Sequence, residues 1–253
     1  MRELSVREVV ARLEETPEGF VRVVATDADG TLWESDVGDA LFRLVASRNM
    51  VADAVRPQVA AFCARFLGAV PEGIPAQAEA LIAGHAAGRV PVEPLCDLEA
   101  EAVGERSQRE FEALLDEVAE MFLPRIRRAS VELLDRLRDR GFAVHVVSGS
   151  LAALVEATLS RAGVTVDRVS GGRLRREGNR VCARLDGPIP LHGGKVHALE
   201  SAGHWPAALG MGDGGWDATF LRGCALPLLV HPKDALREAM KDHPAVARLT
   251  DLP

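Results

Sequence analysis

The sequence has no excess of basic residues: its formal net charge is −7 at pH 7. This charge argues against nucleic acid or an anionic membrane as the main partner. No run of about 18 apolar residues occurs, so we expect no transmembrane helix. The opening stretch, MRELSVREVVARLEE, has no apolar core of the signal-peptide type. We therefore expect a cytoplasmic protein. Tyrosine is also absent, a compositional bias to which we attach no function.

Pairs of metal-binding cysteines are missing as well. Cys63, Cys96, Cys182 and Cys224 are widely spaced and form no CxxC motif, so we predict neither a zinc site nor a disulfide framework. The seven histidines show no ligand spacing with a third partner. What remains is the composition of an ordinary globular protein, 47% hydrophobic and 26% charged.

Five short runs rich in apolar and β-branched residues predict β-strands. They cover residues 21–26, 143–147, 166–169, 208–212 and 226–230. Four of the five are almost continuously apolar, which is typical of parallel strands covered on both faces. Helical patterns occur between strands, at residues 129–140 and 150–162. The alternation predicts an α/β fold with a doubly wound, Rossmann-like parallel sheet.

A long segment without strand signals interrupts this alternation. It contains four stretches with apolar residues at three- and four-residue spacing, which predict helices. These stretches are residues 39–50, 56–68, 75–88 and 107–122. We predict an α/β core of residues 1–35 and 126–253, with an inserted helical domain of residues 36–125 over the end of the first strand. Residues 173–187 predict a hairpin with a turn at Glu177–Asn179.

Chemically active residues follow three of the predicted strands. The residues are Asp27, Asp29, Gly30 and Thr31 after the first strand, Ser148, Gly149 and Ser150 after the second, and Asp213 and Asp217 after the fourth. Ligands of doubly wound sheets bind outside the carboxyl ends of the strands, so these side chains should lie at one edge. Lys195, in a predicted helix shortly before the fourth strand, is expected at the same edge.

The residue types favour phosphoryl transfer. Asp27 can attack phosphorus as a nucleophile and form an aspartyl-phosphate. A divalent cation would offset the repulsion between a carboxylate and a phosphate dianion, and Mg²⁺ prefers oxygen ligands. Asp27 and Asp213 are the predicted carboxylate ligands, and Asp29 can add its main-chain oxygen. The Asp29 side chain can protonate the leaving oxygen and later deprotonate the attacking water.

Three further residues are candidates for binding the phosphoryl group. Ser148 and the N–H group of Gly149 can hold phosphoryl oxygens at the start of a helix, where the dipole favours anions. Lys195 can stabilise both Asp27 and the transferring group with its charge.

These motifs resemble those of the haloacid dehalogenase superfamily, and within it the phosphoserine-phosphatase-like branch. DADGT resembles the first motif, VHVVSGS the second, Lys195 the third and GMGDGGWD the fourth, in the family's order over residues 21–217. The resemblance implies the same roles for Asp27, Asp29, Ser148, Lys195 and Asp213. It also implies a helical cap at residues 36–125 and supporting roles for Thr31 and Asp217, the latter near Lys195 or a metal-bound water.

The sequence departs from phosphoserine phosphatases at three positions. Gly30 stands where they have serine, and Trp216 stands where they have asparagine. Asp36, nine residues after Asp27, replaces a glutamate that contacts the substrate's amine. These departures leave the substrate open, and we regard Asp36 and Trp216 as candidate specificity residues.

The prediction is therefore a magnesium-dependent phosphatase for a small phosphorylated metabolite, as a monomer or homodimer. A dehalogenase would have no use for Asp29, because a leaving halide needs no proton. A mutase, or a phosphotransferase that uses an alcohol as acceptor, stays open as an alternative on the same fold. So does a catalytically silent binding protein, although all five core residues are present.

Overall fold

The computed structural model describes residues 1–250, in which ten strands form two sheets. The strands are β1 (Arg2–Leu4), β2 (Val21–Thr26), β3 (Arg106–Ser107), β4 (Ala143–Leu151), β5 (Arg168–Gly172), β6 (Leu174–Glu177), β7 (Arg180–Leu185), β8 (Ala207–Gly212), β9 (Leu226–Leu229) and β10 (Ala247–Leu249). Seven of them form a parallel sheet in the order β1-β10-β9-β8-β2-β4-β5. The predicted parallel α/β sheet is thus confirmed.

Eleven α-helices occur in the described residues. They are α1 (Val6–Arg12), α2 (Val37–Ser47), α3 (Arg56–Phe62), α4 (Ile74–Ala86), α5 (Val92–Ala102), α6 (Gln108–Phe122), α7 (Arg128–Arg138), α8 (Ala152–Arg161), α9 (Gly193–Ser201), α10 (Ala218–Leu221) and α11 (Asp234–Met240). A turn of π-helix, Cys63–Leu67, continues α3. None of the helices in residues 1–250 has the length and apolar character needed to cross a membrane.

Helices cover both faces of the sheet, because successive side chains of a strand point to opposite faces. In β2, Val24 belongs to one buried apolar cluster, which includes residues of α1, α7 and α8. Its neighbours Val23 and Ala25 belong to a second cluster, with residues of α9, α10 and α11. All six residues of β8 are buried. Coverage on two faces explains the continuous apolar runs in the sequence.

The structure corrects several strand predictions. The second predicted strand, 143–147, continues to Leu151, because Leu151 pairs with Gly172 after a register shift. The third, 166–169, lies instead at Arg168–Gly172. Strands β1 and β10 were not predicted. Each has only three residues, too few for a periodic pattern. They are defined by pairing, β1 with β10 and β10 with β9.

Helices α2 to α6 lie between β2 and β4, in the segment where the sequence predicted helices. Helix α5 was not among the predicted helices. Its Pro94 occupies the first turn, where the missing N–H group has no intrahelical partner. The apolar cluster of the α1, α7 and α8 face continues into this segment through Phe42, Leu81 and Phe111.

A second, three-stranded sheet joins the inserted segment to the core. The predicted hairpin is confirmed as β6 and β7, and β3 of the inserted segment pairs antiparallel with β7. Gly104 makes this approach possible, since a Cβ there would lie 2.3 Å from the Ala183 backbone. Pairing between β3 and β7 therefore links the inserted segment to the hairpin that follows β5.

Candidate active site

A cavity of about 800 Å³ lies at the carboxyl ends of β2, β4 and β8. Its floor includes Asp27, Asp29, Lys195 and Asp213, and its other walls come from α2, α4 and α5. The strand topology brings the floor residues together, because neighbouring parallel strands end at the same edge.

Asp27 forms a buried ion pair with Lys195. The Nζ atom of Lys195 donates to Asp27 Oδ1 at 2.7 Å and to Asp217 Oδ1 at 2.6 Å. Burial, with repulsion from Asp217, raises the pKa of Asp27 well above its usual range, and Lys195 opposes the shift. Burial alone would lower the pKa of Lys195, but Asp217 and Asp27 outweigh it and raise that pKa. Lys195 is therefore a permanent positive charge between two carboxylates.

Asp217 also fixes the loop that follows β8. Its Oδ2 atom accepts hydrogen bonds from the N–H groups of Asp213, at 3.1 Å, and Gly214, at 3.0 Å. The structure thus places Asp217 in contact with Lys195 and with the backbone beside Asp213.

The donor set of the floor fits a hard divalent cation. Asp27, Asp213 and Asp217 can each offer one carboxylate oxygen within 4.8 Å of the others, and such ligands suit Mg²⁺. Gly30, at a φ of +79°, leaves room for this set, because a Cβ there would lie 2.2 Å from Asp213 Oδ2. Burial raises the pKa of Asp213 to about 6, and a bound cation would favour its charged form.

Lys233 is a site residue that sequence reasoning missed. It follows β9, the strand beside β8, and its Nζ atom lies 2.9 Å from Asp213 Oδ2. The sequence could have indicated Lys233, because the residues HPK directly follow a predicted apolar strand. The carboxyl ends of all parallel strands lie at the same edge of the sheet.

Asp29 is held by four donors. Its Oδ1 atom accepts from Trp33 Nε1 and from the Val37 N–H group, each at 2.8 Å. Its Oδ2 atom accepts from Ser150 Oγ at 2.7 Å and from Ser148 Oγ at 3.4 Å. Burial and the nearby Asp36 raise the pKa of Asp29 to about 7, against the effect of these hydrogen bonds. Near neutral pH, Asp29 can therefore both hold and accept a proton.

The phosphate-binding prediction needs one correction. Ser148 and Gly149 lie within β4, and α8 begins only at Ala152, so neither residue is at the start of a helix. The strand extends because its end pairs with β5. Gly149 lines the cavity, whereas Ser148 is fully buried and its Oγ atom accepts from the Ser150 N–H group at 3.0 Å.

Three residues near Asp29 have environments that the sequence did not indicate. Thr31 is buried and its hydroxyl has no hydrogen-bond partner among residues 1–250. Trp33, which packs with no exposure, is also a donor to Asp29. Ser150 lies two residues after Ser148, so strand periodicity places both on the same face. Both lie beyond the predicted strand, residues 143–147, and within the observed β4.

The two candidate specificity residues both line the cavity. Asp36 Oδ1 caps α2, accepting from the N–H groups of Gly38 at 2.7 Å and Asp39 at 3.1 Å. Trp216 lies between two histidines. Its ring stacks on His85 of α4 at 5.6 Å and meets His192 edge-on at 5.8 Å.

The fold and the site together define an α/β protein with an acidic, lysine-bearing site at the strand ends. The model of the haloacid dehalogenase-like hydrolase family matches residues 24–222. The chain belongs to this family, and the resemblance seen in its motifs is confirmed.

Known proteins add a relative and several similar structures. A phosphoserine phosphatase of Halobacterium salinarum is 35% identical over 124 residues, which are 47% of this chain and 58% of that protein. The match thus spans less than two thirds of the relative's length.

Among solved structures, a protein of unknown function from Bordetella pertussis Tohama I has a TM-score of 0.71 at 17% identity, covering 92% of this chain and all of its own. A HAD family hydrolase from Salmonella enterica serovar Typhi has a TM-score of 0.63 at 17% identity, covering 97% of this chain and 74% of its own. A substrate-bound phosphoserine phosphatase has a TM-score of 0.56 at 17% identity, covering 86% of this chain and 89% of its own. At these identities the likeness concerns the fold.

Proposed function

We propose that the protein is a magnesium-dependent phosphatase that hydrolyses a small phosphomonoester through an aspartyl-phosphate on Asp27. One observation carries the proposal. Two buried carboxylates, two residues apart, have different environments: Asp27 pairs with the cation Lys195, whereas Asp29 is held by neutral donors and has a pKa of about 7. Phosphate ester cleavage needs a charged nucleophile beside a protonated acid. Lys195 and a bound cation would favour the charged form of Asp27, against the effect of its burial.

In the first step, an oxygen of Asp27 attacks phosphorus and the bond between phosphorus and the leaving oxygen breaks. Asp29 transfers its proton to that oxygen, so the alcohol leaves neutral. Lys195 orients Asp27 and places positive charge near the transferring group. Mg²⁺, held by Asp27, Asp213 and the main-chain oxygen of Asp29, would offset the repulsion between nucleophile and phosphate.

In the second step, water replaces the enzyme as the acceptor. Asp29, now a carboxylate, removes a proton from a water molecule, whose oxygen attacks the phosphorus. The bond between phosphorus and the Asp27 oxygen breaks, which releases inorganic phosphate. We assign Gly149 and Lys195 to the phosphoryl oxygens because both line the cavity. We assign Ser148 to positioning, because it is buried against Ser150.

We further propose that residues 36–125 act as a cap over a core formed by residues 1–35 and 126–253. In support, residues of α2, α4 and α5 line the same cavity as Asp27. Covering the site would exclude water during the first step. A cavity of about 800 Å³ suits a small phosphorylated metabolite rather than a phosphoprotein.

Phosphate release from 4-nitrophenyl phosphate tests this function. With Mg²⁺ the wild-type protein should turn over, and excess EDTA should abolish turnover until Mg²⁺ is restored. Asp27→Asn should lose essentially all activity while unfolding at the wild-type temperature. Asp135→Asn, an exposed position on α7, serves as the matched control and should retain full activity. Substantial turnover by Asp27→Asn, or in EDTA, would contradict the proposal.

A further inference from the structure

Helix α5 lines the cavity with one face, whose two halves differ in chemistry. Its cavity residues lie three and four positions apart, so they share one side of the helix. Val92, Leu95 and Cys96 form the N-terminal half of this face, and Glu99 follows in the C-terminal half. Burial, with repulsion from Glu99, raises the pKa of Cys96 well above its usual range. The thiol of Cys96 therefore stays neutral and packs as a small apolar group.

Two other segments meet the apolar half of α5. Glu93, in the first turn of α5, has its Oε1 atom 3.2 Å from His192 Nε2, and Leu191, the neighbour of His192, lines the cavity. The ring of Trp216 meets His192 edge-on and stacks on His85 of α4. We call this region the apolar end of the cavity. Its lining residues are Ile82, Val92, Leu95, Cys96, Leu191 and Trp216.

The apolar end begins beside the proposed phosphoryl site. If Gly149 carried a Cβ, that atom would lie 2.9 Å from Leu191 Cδ2 and 3.8 Å from Cys96 Sγ. Gly149 is one of the two residues that we assign to the phosphoryl oxygens. The carbon atoms of a leaving alcohol start two bonds from phosphorus, so they would reach these side chains. An apolar alcohol would remove apolar surface of this wall from water, which is favourable.

The acidic half of the cavity has partners within the protein. The carboxyl groups of Glu99 and Asp39 share a hydrogen bond. Asp36 Oδ1 accepts from the N–H groups of Gly38 and Asp39. These groups are therefore satisfied by the protein itself, and carboxylates on this side would repel an anionic leaving group.

The cations of the cavity are engaged as well. Every lysine and arginine among the described residues that line it already contacts a carboxylate of the protein. The pairs are Arg43 with Glu79, Arg127 with Glu34, Lys195 with Asp27 and Lys233 with Asp213. A carboxylate on the leaving alcohol would find no free counter-charge among these residues, and its burial in the apolar end would be costly.

We propose that the apolar end binds the body of the substrate's leaving alcohol, and that the preferred substrate is the phosphomonoester of an uncharged, apolar alcohol. This inference rests on the proposed function and adds Leu191, beside Trp216, as a residue that determines specificity. It differs from the phosphoserine-phosphatase resemblance at the leaving group alone, because the proposed phosphoryl chemistry is unchanged.

A series of alkyl phosphates tests the inference. Ethyl, propyl and butyl alcohols differ little in acidity, so each should need the same proton from Asp29. Each buried methylene group should raise kcat/KM by about 4-fold, so butyl phosphate should exceed ethyl phosphate by about 15-fold. Butyl phosphate should also exceed O-phosphoserine by at least about 10-fold, because the charged groups of serine would lose water in the apolar end.

Two variants change the wall of the apolar end. Leu191→Asn places a polar amide there with little change in size, and Trp216→Asn removes the ring. In each variant the ratio of kcat/KM for butyl phosphate to that for ethyl phosphate should fall below about 4-fold. Leu185 is half-buried like Leu191 but lies on β7, outside the residues that line the cavity. Leu185→Asn is therefore the matched control and should keep the ratio. If both cavity variants also kept it, the apolar contact would lie elsewhere and the inference would be wrong.

A binding measurement separates this inference from the catalytic proposal. Calorimetry in Mg²⁺ compares ethylphosphonate with butylphosphonate, neither of which can be hydrolysed. Butylphosphonate should bind about 15-fold more tightly and with a more negative heat-capacity change, and Leu191→Asn should remove most of the difference. Equal binding of both phosphonates, equal kcat/KM values for ethyl and butyl phosphate, or a preference for phosphoserine would overturn the inference. If 4-nitrophenyl phosphate is not hydrolysed, the proposed function fails and the phosphonates alone decide about the apolar end.

Discussion

The substitution Asp29→Asn isolates the proton transfer, because asparagine can keep every contact that Asp29 makes. Its Oδ1 atom can still accept from Trp33 and from the Val37 N–H group. Its amide nitrogen would face Ser150 Oγ, which can rotate its hydroxyl and accept. The main-chain oxygen that we assign to the metal is unchanged. We therefore expect a folded variant that has lost one titratable proton.

The size of the effect should depend on the leaving group and on the step. General acid catalysis is typically worth about 10²–10⁴ in rate, so kcat/KM for an alkyl phosphate should fall by that factor. Nitrophenolate leaves without a proton, so phosphorylation of Asp27 by 4-nitrophenyl phosphate should slow by less than about 10-fold. Dephosphorylation still needs the base for every substrate. The variant should therefore accumulate phosphorylated Asp27.

Rapid mixing shows these steps directly. Asp29→Asn and 4-nitrophenyl phosphate should give a burst of about one nitrophenolate per active site, followed by slow turnover. Acid-quenched protein should then carry a phosphoryl group, which hydroxylamine removes. Asp135→Asn should behave as the wild type does. Equal losses for alkyl and nitrophenyl esters, with no burst, would refute the assignment of Asp29 as acid and base.

Two predictions concern the stability of the fold. Lys195→Met leaves the two buried carboxylates that Lys195 bridges without a counter-charge, so the free energy of unfolding in urea should fall by about 3–5 kcal/mol. The control Lys241→Met, at an exposed site, should change this free energy by less than about 0.5 kcal/mol. A similar loss in both variants would contradict the argument. Burial and the neighbour His204 lower the pKa of His145 to about 4, below its value in the unfolded chain. The contribution of neutral His145 to the free energy of unfolding is therefore present above about pH 6.5 and is lost as the pH falls towards 4. Relative to His145→Gln, the wild-type protein should therefore lose about 2–3 kcal/mol between pH 7 and 4, and parallel stability curves for the two proteins would show that this histidine does not titrate as described.

The sequence alone determined the parallel α/β class, five strands of the sheet, the family and the residues on the floor of the site. Parallel strands covered on both faces must be apolar along their length, and this pattern survives in a single sequence as VRVVAT or ALGMG. Because such strands all end at one edge, Asp27, Asp29 and Asp213 could be placed together without knowing any distance.

Tertiary structure decided the contacts that depend on register and on packing between distant segments. Ser150 became a partner of Asp29 because the end of β4 pairs with β5, a pairing that no local pattern encodes. Strand β1 pairs only with β10, and β10 joins the sheet through β9, so both depend on contacts between distant segments. Glu99 reads in the sequence as one more acid on a helix, and it is buried only because α5 packs beside α2. The burial of a carboxylate and its hydrogen-bond and ion-pair partners set its chemistry, and both are decided by the packing of the whole chain.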